Sequence, residues 1–205
     1  MDDSASHGLH AAILAAGPSR RFGRPKQLLQ IGGDPMLSIA AANAAVVAGH
    51  SVTVVVGAHA REVTPALRQR AVSIALNRSW EEGIASSIRA AVHAAPPACG
   101  ALLLLLADQV AVTADDLRRL HAAWRRHPVL IAAALYGGAP GLPAILPRWA
   151  FDDLLDLRGD GDPRRVLRKA VDRVVRVPMA NAAIDLDTTE DLRIYEASRE
   201  AAPEP

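Results

Sequence analysis

Only one cysteine, Cys99, stands in the 205 residues. No internal disulfide can form, and no multi-cysteine metal centre can be assembled. Aromatic residues are nearly as scarce, at 3%. The core must therefore come from Ala, Val, Leu and Ile, and stacking platforms for single-stranded nucleic acid are lacking. No charge of one sign prevails, since 23 Lys and Arg face 22 Asp and Glu for a net charge of +1. A dedicated DNA or RNA binder carries a basic excess that this chain does not have. Apolar runs are short, and the one from Ala101 to Ala107 falls far below the ~20 residues that span a bilayer. The opening "MDDSASHGLH" has neither the cationic start nor the apolar stretch of a signal peptide. A cytoplasmic protein is expected, with neither nucleic acid nor membrane as partner.

What the chain does have is apolar runs of strand length alternating with helix-like stretches. Strands are expected over 11–15, 52–56, 72–76, 101–106, 129–135 and 174–177. Most are continuously apolar, as in strands buried on both faces of a parallel sheet. Helices are expected over 36–48, 61–70, 86–94, 115–126, 147–157 and from 163 to about 170, with a last one after Thr188. Asp34 before Pro35 reads as an N-cap and Gly49 as the stop of the first helix. Thr113 with Asp116, and Thr188 with Asp191, read as N-terminal capping signals. "GGAPGLP" (137–143) reads as a turn-rich loop. The alternation implies right-handed βαβ units in a three-layer α/β/α, Rossmann-like fold with a mostly parallel central sheet. Residues 1–8 are expected to be disordered, 9–198 to form a single domain and 199–205 to be a frayed tail.

Ligands in open α/β sheets bind at the carboxyl ends of the strands. The first strand runs into "GPSRRFGRPK" (17–26), where Arg20, Arg21, Arg24 and Lys26 stand among Gly17, Gly23 and Pro25. Backbone N–H groups near Gly17 and these cations suit an anion, the alternative being a solvated basic turn. Neither Gly-x-x-x-x-Gly-Lys-Ser/Thr nor Gly-x-Gly-x-x-Gly is present. "LADQV" places Asp108 just past the edge of a buried strand, as a metal ligand or as a turn cap. Mg²⁺ accepts one or two carboxylates together with phosphate oxygens and water. In "AIDLDTTEDL", Asp185 and Asp187 share one side of an extended segment and serve either a metal or helix capping. "NRSWEEGIASSIRAAV" (77–92) brings Gly83, Ser86 and Ser87 to a helix start at the same edge. The seven histidines lack metal-ligand spacing, and His10, His59, His93, His121 and His127 read as structural or surface residues.

"LAAGPSRRFGRPKQLL" closely resembles the signature loop of the GT-A-like nucleotidyltransferases, of form L-A-A-G-x-S-x-R-[FM]-G-x-x-K. The ending F-G-x-x-K-Q-L-L is similar to the MobA-like branch that includes molybdenum cofactor cytidylyltransferases. "NRSWEEGIASSIRAAV", "LLLLADQV", "PGLPAIL", "LRGDGDPRRVL" and "IDLDTTEDL" follow in the branch's order, so the resemblance spans about residues 9–195. It implies a single nucleotidyltransferase domain in which Leu14, Ala15, Ala16 and Gly17 line the nucleotide with their backbone. Arg21 and Lys26 would hold the triphosphate and, with Asp108, form the catalytic set. Asp108 would be the main Mg²⁺ ligand, Asp187 the second acid and Asp185 its neighbour. Gly83 and Ser87 would approach the base or ribose. Ala-Ala-Gly, in place of the Ala-Gly-Gly of guanylyl-transferring relatives, favours cytidine, while Arg20 and Arg24 fall at variable positions and read as solvated.

Three departures from the pattern stand out. Val110 follows Gln109 where a proline is usual, Leu142 precedes Pro143 where a polar residue is common, and "GD-x-G-A-R" becomes Gly159-Asp160-Gly161-Asp162-Pro163-Arg164. The latter two lie in the half expected to bind the acceptor. The implied reaction is Mg²⁺-dependent transfer of CMP from CTP to a molybdopterin-type molybdenum cofactor with release of pyrophosphate. Its partners would be the nucleotide, that acceptor, and in transient contact a molybdoenzyme or its chaperone. The alternatives are nucleotidyl transfer to a sugar phosphate or other small phosphorylated acceptor, and a catalytically silent cofactor carrier. Arg21, Lys26, Asp108 and Asp187 argue against the carrier, which has little need of a metal–triphosphate site.

Overall fold

Short, almost wholly apolar strands separated by helices make up the structure, a computed structural model that describes residues 8–186 and 188–200. In chain order the elements are β1 (Gly8–Ala15), β2 (Gln30–Ile31), β3 (Asp34–Pro35), α1 (Met36–Ala48), β4 (Val52–Val56), α2 (Ala60–Val63), β5 (Ser73–Leu76) and α3 (Ile84–Ala94). There follow β6 (Cys99–Leu106), α4 (Ala114–Arg126), β7 (Ile131–Tyr136), β8 (Ala139–Pro147), α5 (Phe151–Leu155), α6 (Arg164–Lys169), β9 (Val174–Pro178) and α7 (Thr189–Glu200). Seven strands form one sheet in the order β5-β4-β1-β6-β8-β7-β9, and β2 pairs with β3 in a small hairpin. Every neighbouring pair in the large sheet is parallel except those made by β8, which runs against β6 and β7. The expected three-layer, mostly parallel fold is what forms.

Side chains alternate between the two faces of each strand, so a continuous apolar run feeds two cores at once. Ala11, Ile13, Leu103 and Leu105 join Leu37 and Ala41 of α1 and Leu117 and Leu120 of α4 on one face. Ala12, Leu14, Leu102 and Leu104 meet Ile88 of α3, Leu154 of α5 and Leu167 of α6 on the other. Burial on both faces explains why the strands carry no polar alternation. No helix among the described residues is long and apolar enough to cross a membrane.

Several sequence expectations are corrected. Residues 137–143 are not a loop: only Gly137 and Gly138 turn, and β8 begins at Ala139. Prolines are excluded from strands where they would forfeit a ladder bond, but Pro143 falls where that cost is small. The β6–β8 pairing ends at Leu104 and Ala144, and the β7 register jumps from Ala144 to Gly141, so Pro143 sits in a bulge. The helix expected over 61–70 is reduced to α2, and a 3-10 turn, Thr64–Leu67, holding Pro65 follows. The expected 147–157 helix loses its first turns to β8 and to the 3-10 turn Arg148–Ala150. Asp34 is no N-cap, because Asp34 and Pro35 form β3. Gly8 belongs to β1, and α7 runs to Glu200, slightly outside the expected domain bounds. The expectations for residues 1–7, Asp187 and 201–205 lie outside the described residues. Met36 to Ala48 is helical and closed by Gly49 as expected, and Thr113 and Asp116 form a reciprocal capping box.

Candidate active site

The carboxyl ends of β1 and β6 lie side by side, joined where the Ala107 amide donates to the Leu14 carbonyl at 3.1 Å. Above that edge lies a cavity of about 430 Å³. Leu14, Ala15, Ala16, Gly17, Arg21, Lys26, Gly83, Ser87 and Asp108 all line it, so residues from three separate stretches meet. Arg20 lines it as well, alongside Arg21, although it reads in sequence as a bystander; Arg24 is exposed and is not among the lining residues. Asp185 stands exposed in the field of the Arg164 guanidinium and is not a lining residue.

The loop that carries the cations is held from beneath by Gln27, a residue with no role in the sequence reading. Its buried amide donates to the carbonyls of Ala15 and Gly17, both at 3.0 Å. Its carbonyl oxygen accepts from the Ser19 hydroxyl at 3.2 Å, and the Lys26 amide donates to that same hydroxyl at 3.1 Å. Within this network Ser19 adopts φ 52°, a left-handed conformation uncommon for a residue other than glycine. A second tie comes from His59, whose Nε2 donates to the Pro18 carbonyl at 3.0 Å while Nδ1 faces the Glu62 carboxylate at 2.9 Å. The Glu62 hydrogen bond, then the Pro18 carbonyl, raise the His59 pKa above its ordinary value.

Asp108 is the chemical centre of the edge. Its Oδ2 accepts from the Lys26 ammonium at 2.6 Å, and Lys26 also donates to the Leu186 carbonyl at 3.2 Å. Its Oδ1 is buried with no hydrogen-bond partner among the described residues. A buried carboxylate oxygen without a partner is costly, and such an atom suits a cation ligand. Among the described residues no three His, Cys, Asp or Glu side chains gather for a metal, so the donor set fits an ion that takes one or two carboxylates and completes its shell with phosphate and water. The Asp108 carbonyl accepts from the amides of Val110 and Leu186, at 2.9 and 3.2 Å. Val110 thus supplies a bond that a proline could not.

Another lining residue, Gly83, opens α3 with φ +102°. A Cβ there would lie 2.3 Å from Asp160 Oδ1 and 2.6 Å from the Gly159 carbonyl, which itself accepts from the Ala85 amide at 3.1 Å. Glycine is required both for the dihedral and for this close approach. Asn77 donates to the hydroxyls of Ser86 and Ser87, at 2.8 and 3.0 Å, and the Ser86 hydroxyl donates to the Gly83 carbonyl at 2.8 Å. Asp160, Trp80 and Phe22 also line the cavity. Asp160 comes from the segment expected at the acceptor, and only the docking of that loop on α3 brings it here. Gln109 donates to the carbonyls of Leu142 and Ala182, both at 2.8 Å, so position 142 is engaged through its backbone.

Fold and cavity together define an α/β protein whose candidate site lies at the carboxyl edge of a mostly parallel sheet. Residues 11–174 match the MobA-like NTP transferase domain, and the chain belongs to that family. It is 32% identical over 149 residues to nicotine blue oxidoreductase of Paenarthrobacter nicotinovorans, covering 72% of this chain and 71% of that protein. The solved structure of a Mycobacterium tuberculosis Rv0371c homologue from Mycobacterium sp. strain JC1 superposes with a TM-score of 0.78 at 29% identity, over 94% of this chain and 96% of that one. Rv0371c of M. tuberculosis H37Rv in complex with manganese shares the fold, with a TM-score of 0.73 at 23% identity over 93% and 98% of the two chains.

Proposed function

We propose that this NTP transferase moves CMP from CTP, with Mg²⁺, to the terminal phosphate of a molybdopterin-type cofactor and releases pyrophosphate. The observation that carries the reading is Asp108 at the β6 edge, one oxygen paired with Lys26 and the other buried without a partner among the described residues, lining the same cavity as the loop of cations. The acceptor phosphate is already ionised near pH 7, so the reaction needs positioning and charge neutralisation more than a general base. Its oxygen forms a bond to the α-phosphorus as the bond from the α-phosphorus to the bridging oxygen breaks, and pyrophosphate departs with that electron pair. Arg21 and Lys26 hold the triphosphate and stabilise the charge gathering on the leaving group. Backbone amides after β1, fixed by Gln27, orient the nucleotide. Asp108, with Asp187 as second acid, would hold the divalent metal, whose charge offsets that of the phosphates when it is bound. Manganese in the Rv0371c structure supports a divalent ion in this fold. The acceptor, and a passing contact with a molybdoenzyme or its chaperone, rest on the resemblance of the sequence motifs.

The test is pyrophosphate release by the purified chain with CTP, Mg²⁺ and the cofactor, alongside a screen of sugar and polyol phosphates. Lys26→Ala and Asp108→Ala should each lose about 10²–10³ in rate. Full activity in both variants would rule out this site. The name of the Paenarthrobacter relative supports a second reading, in which the cavity takes a redox nucleotide. Oxidation of a reduced dinucleotide by the purified chain with an added quinonoid dye as two-electron acceptor, without release of pyrophosphate from any NTP, would favour it.

A further inference from the structure

Trp80, Gly83, Ile84 and Ser87 line the cavity together with Arg20, Arg21 and Lys26, and the carboxylate of Asp160, another lining residue, lies against Gly83. Three features bring that carboxylate here. Gly83 has no Cβ where Asp160 Oδ1 lies. The Gly159 carbonyl accepts from the Ala85 amide at 3.1 Å. Arg89 of α3 donates to the Leu157 carbonyl at 2.8 Å and anchors the start of the same loop. Unlike Asp108, Asp160 makes no hydrogen bond or ion pair among the described residues. One helical turn after Gly83, and lining the same cavity, the Ser87 oxygen already accepts from Asn77 at 3.0 Å, so the hydroxyl proton of Ser87 is the part left to offer a ligand.

A carboxylate only accepts hydrogen bonds, and it would repel the triphosphate, so in a nucleotide its partner has to be a donor on the nucleoside. We infer that Asp160 is a specificity-determining residue that accepts a hydrogen bond from the exocyclic amine of the base, with Ser87 donating to the adjacent ring acceptor. This rests on the reading of the cavity as a nucleoside triphosphate site. Cytosine presents that order, an amine at C4 beside the N3 acceptor. Uracil presents the reverse, a carbonyl at C4 beside N3–H, and it sets oxygen against oxygen at Asp160. The pair therefore selects CTP against UTP, and the loop of residues 157–161 serves the nucleotide as well as its own anchoring. A purely structural Asp160, one that only complements the N-terminal dipole of α3, has no bearing on which base binds.

The experiment is calorimetric titration of the full chain with CTP, UTP, dCTP and inorganic pyrophosphate in Mg²⁺, for wild type, Asp160→Asn and Asp160→Ala. Asparagine can donate to the uracil carbonyl, so the ratio of CTP to UTP affinity should fall at least about tenfold in Asp160→Asn. The CTP to dCTP ratio and the pyrophosphate affinity should stay unchanged. In Asp160→Ala the CTP to UTP preference should fall without any gain in UTP binding. A CTP to UTP ratio that stays constant across the three proteins, or a change confined to dCTP, would overturn the inference while leaving the nucleotide site intact. Wild type that binds no nucleotide at all would sink the nucleotide reading and this inference with it.

Discussion

At Gly83 a single hydrogen in place of a methyl group decides whether two loops can touch. Gly83→Ala would have to adopt φ +102° and push back Asp160 and Gly159, a cost of about 1–3 kcal/mol for the backbone alone. Urea denaturation should show that loss, accompanied by weakened nucleotide binding. Gln27 is as exacting. Gln27→Glu would set a carboxylate oxygen against the carbonyls of Ala15 and Gly17, so the variant should raise KM for the nucleotide more than it lowers kcat. Retention of wild-type KM would show that the loop does not need this tie. His59 adds a pH dependence of known sign. Its folded pKa is raised by Glu62 and Pro18, so its contribution is complete below the unfolded value near 6.5 and is lost as pH rises through the higher folded value. The melting temperatures of wild type and His59→Gln should therefore converge as pH rises past that point.

Among the elements, α4 owes its start to a reciprocal cap. Thr113 Oγ1 accepts from the Asp116 amide, and Asp116 accepts from the Thr113 amide at 2.9 Å. Burial by itself would raise the Asp116 pKa, but hydrogen bonds from Thr113, Asn181 and Arg119 outweigh it and hold the carboxyl below its ordinary value. Stability from this group is present above the unfolded value near 3.9 and disappears as pH falls through the lower folded value. Thr113→Ala should cost about 1 kcal/mol at neutral pH, measured by chemical denaturation. Because Asn181 also donates to Asp116 at 2.6 Å, the cap links α4 to the segment that leads into Leu186 and the Lys26–Asp108 pair. The variant should therefore weaken nucleotide binding more than an ordinary surface cap would.

Over the whole molecule, both cores run beneath the cavity, and a ligand bound at the edge stabilises every layer it bridges. CTP at 100 times its Kd would add about 2.7 kcal/mol, and each kcal/mol moves Tm by about 2–4 °C in a chain of this size. The shift should require Mg²⁺ and vanish with a chelator. It should also be absent in Asp108→Ala, because the metal and the triphosphate depend on each other.

The α/β class, the parallel strands, the Met36–Ala48 helix and the loop of cations at the first strand's end were all determined by sequence alone. Each rests on local chemistry: run length, continuous apolarity, a glycine stop, and charge after a strand. Tertiary structure alone decided the rest. Whether Pro143 breaks a strand depends on whether a neighbour needs its missing N–H, and only the β6–β8–β7 register shows that none does. Whether a glutamine is surface or scaffold depends on which carbonyls it meets, and Gln27 meets two from a strand end ten or more residues away in sequence. Asp160 belongs by sequence to a distant loop, and it reaches the cavity because Gly159 hydrogen-bonds α3 and Gly83 leaves room. Short-range preferences act through the residue's own backbone and are written in the chain; a side chain's partners are set by distances that exist only once the layers have closed.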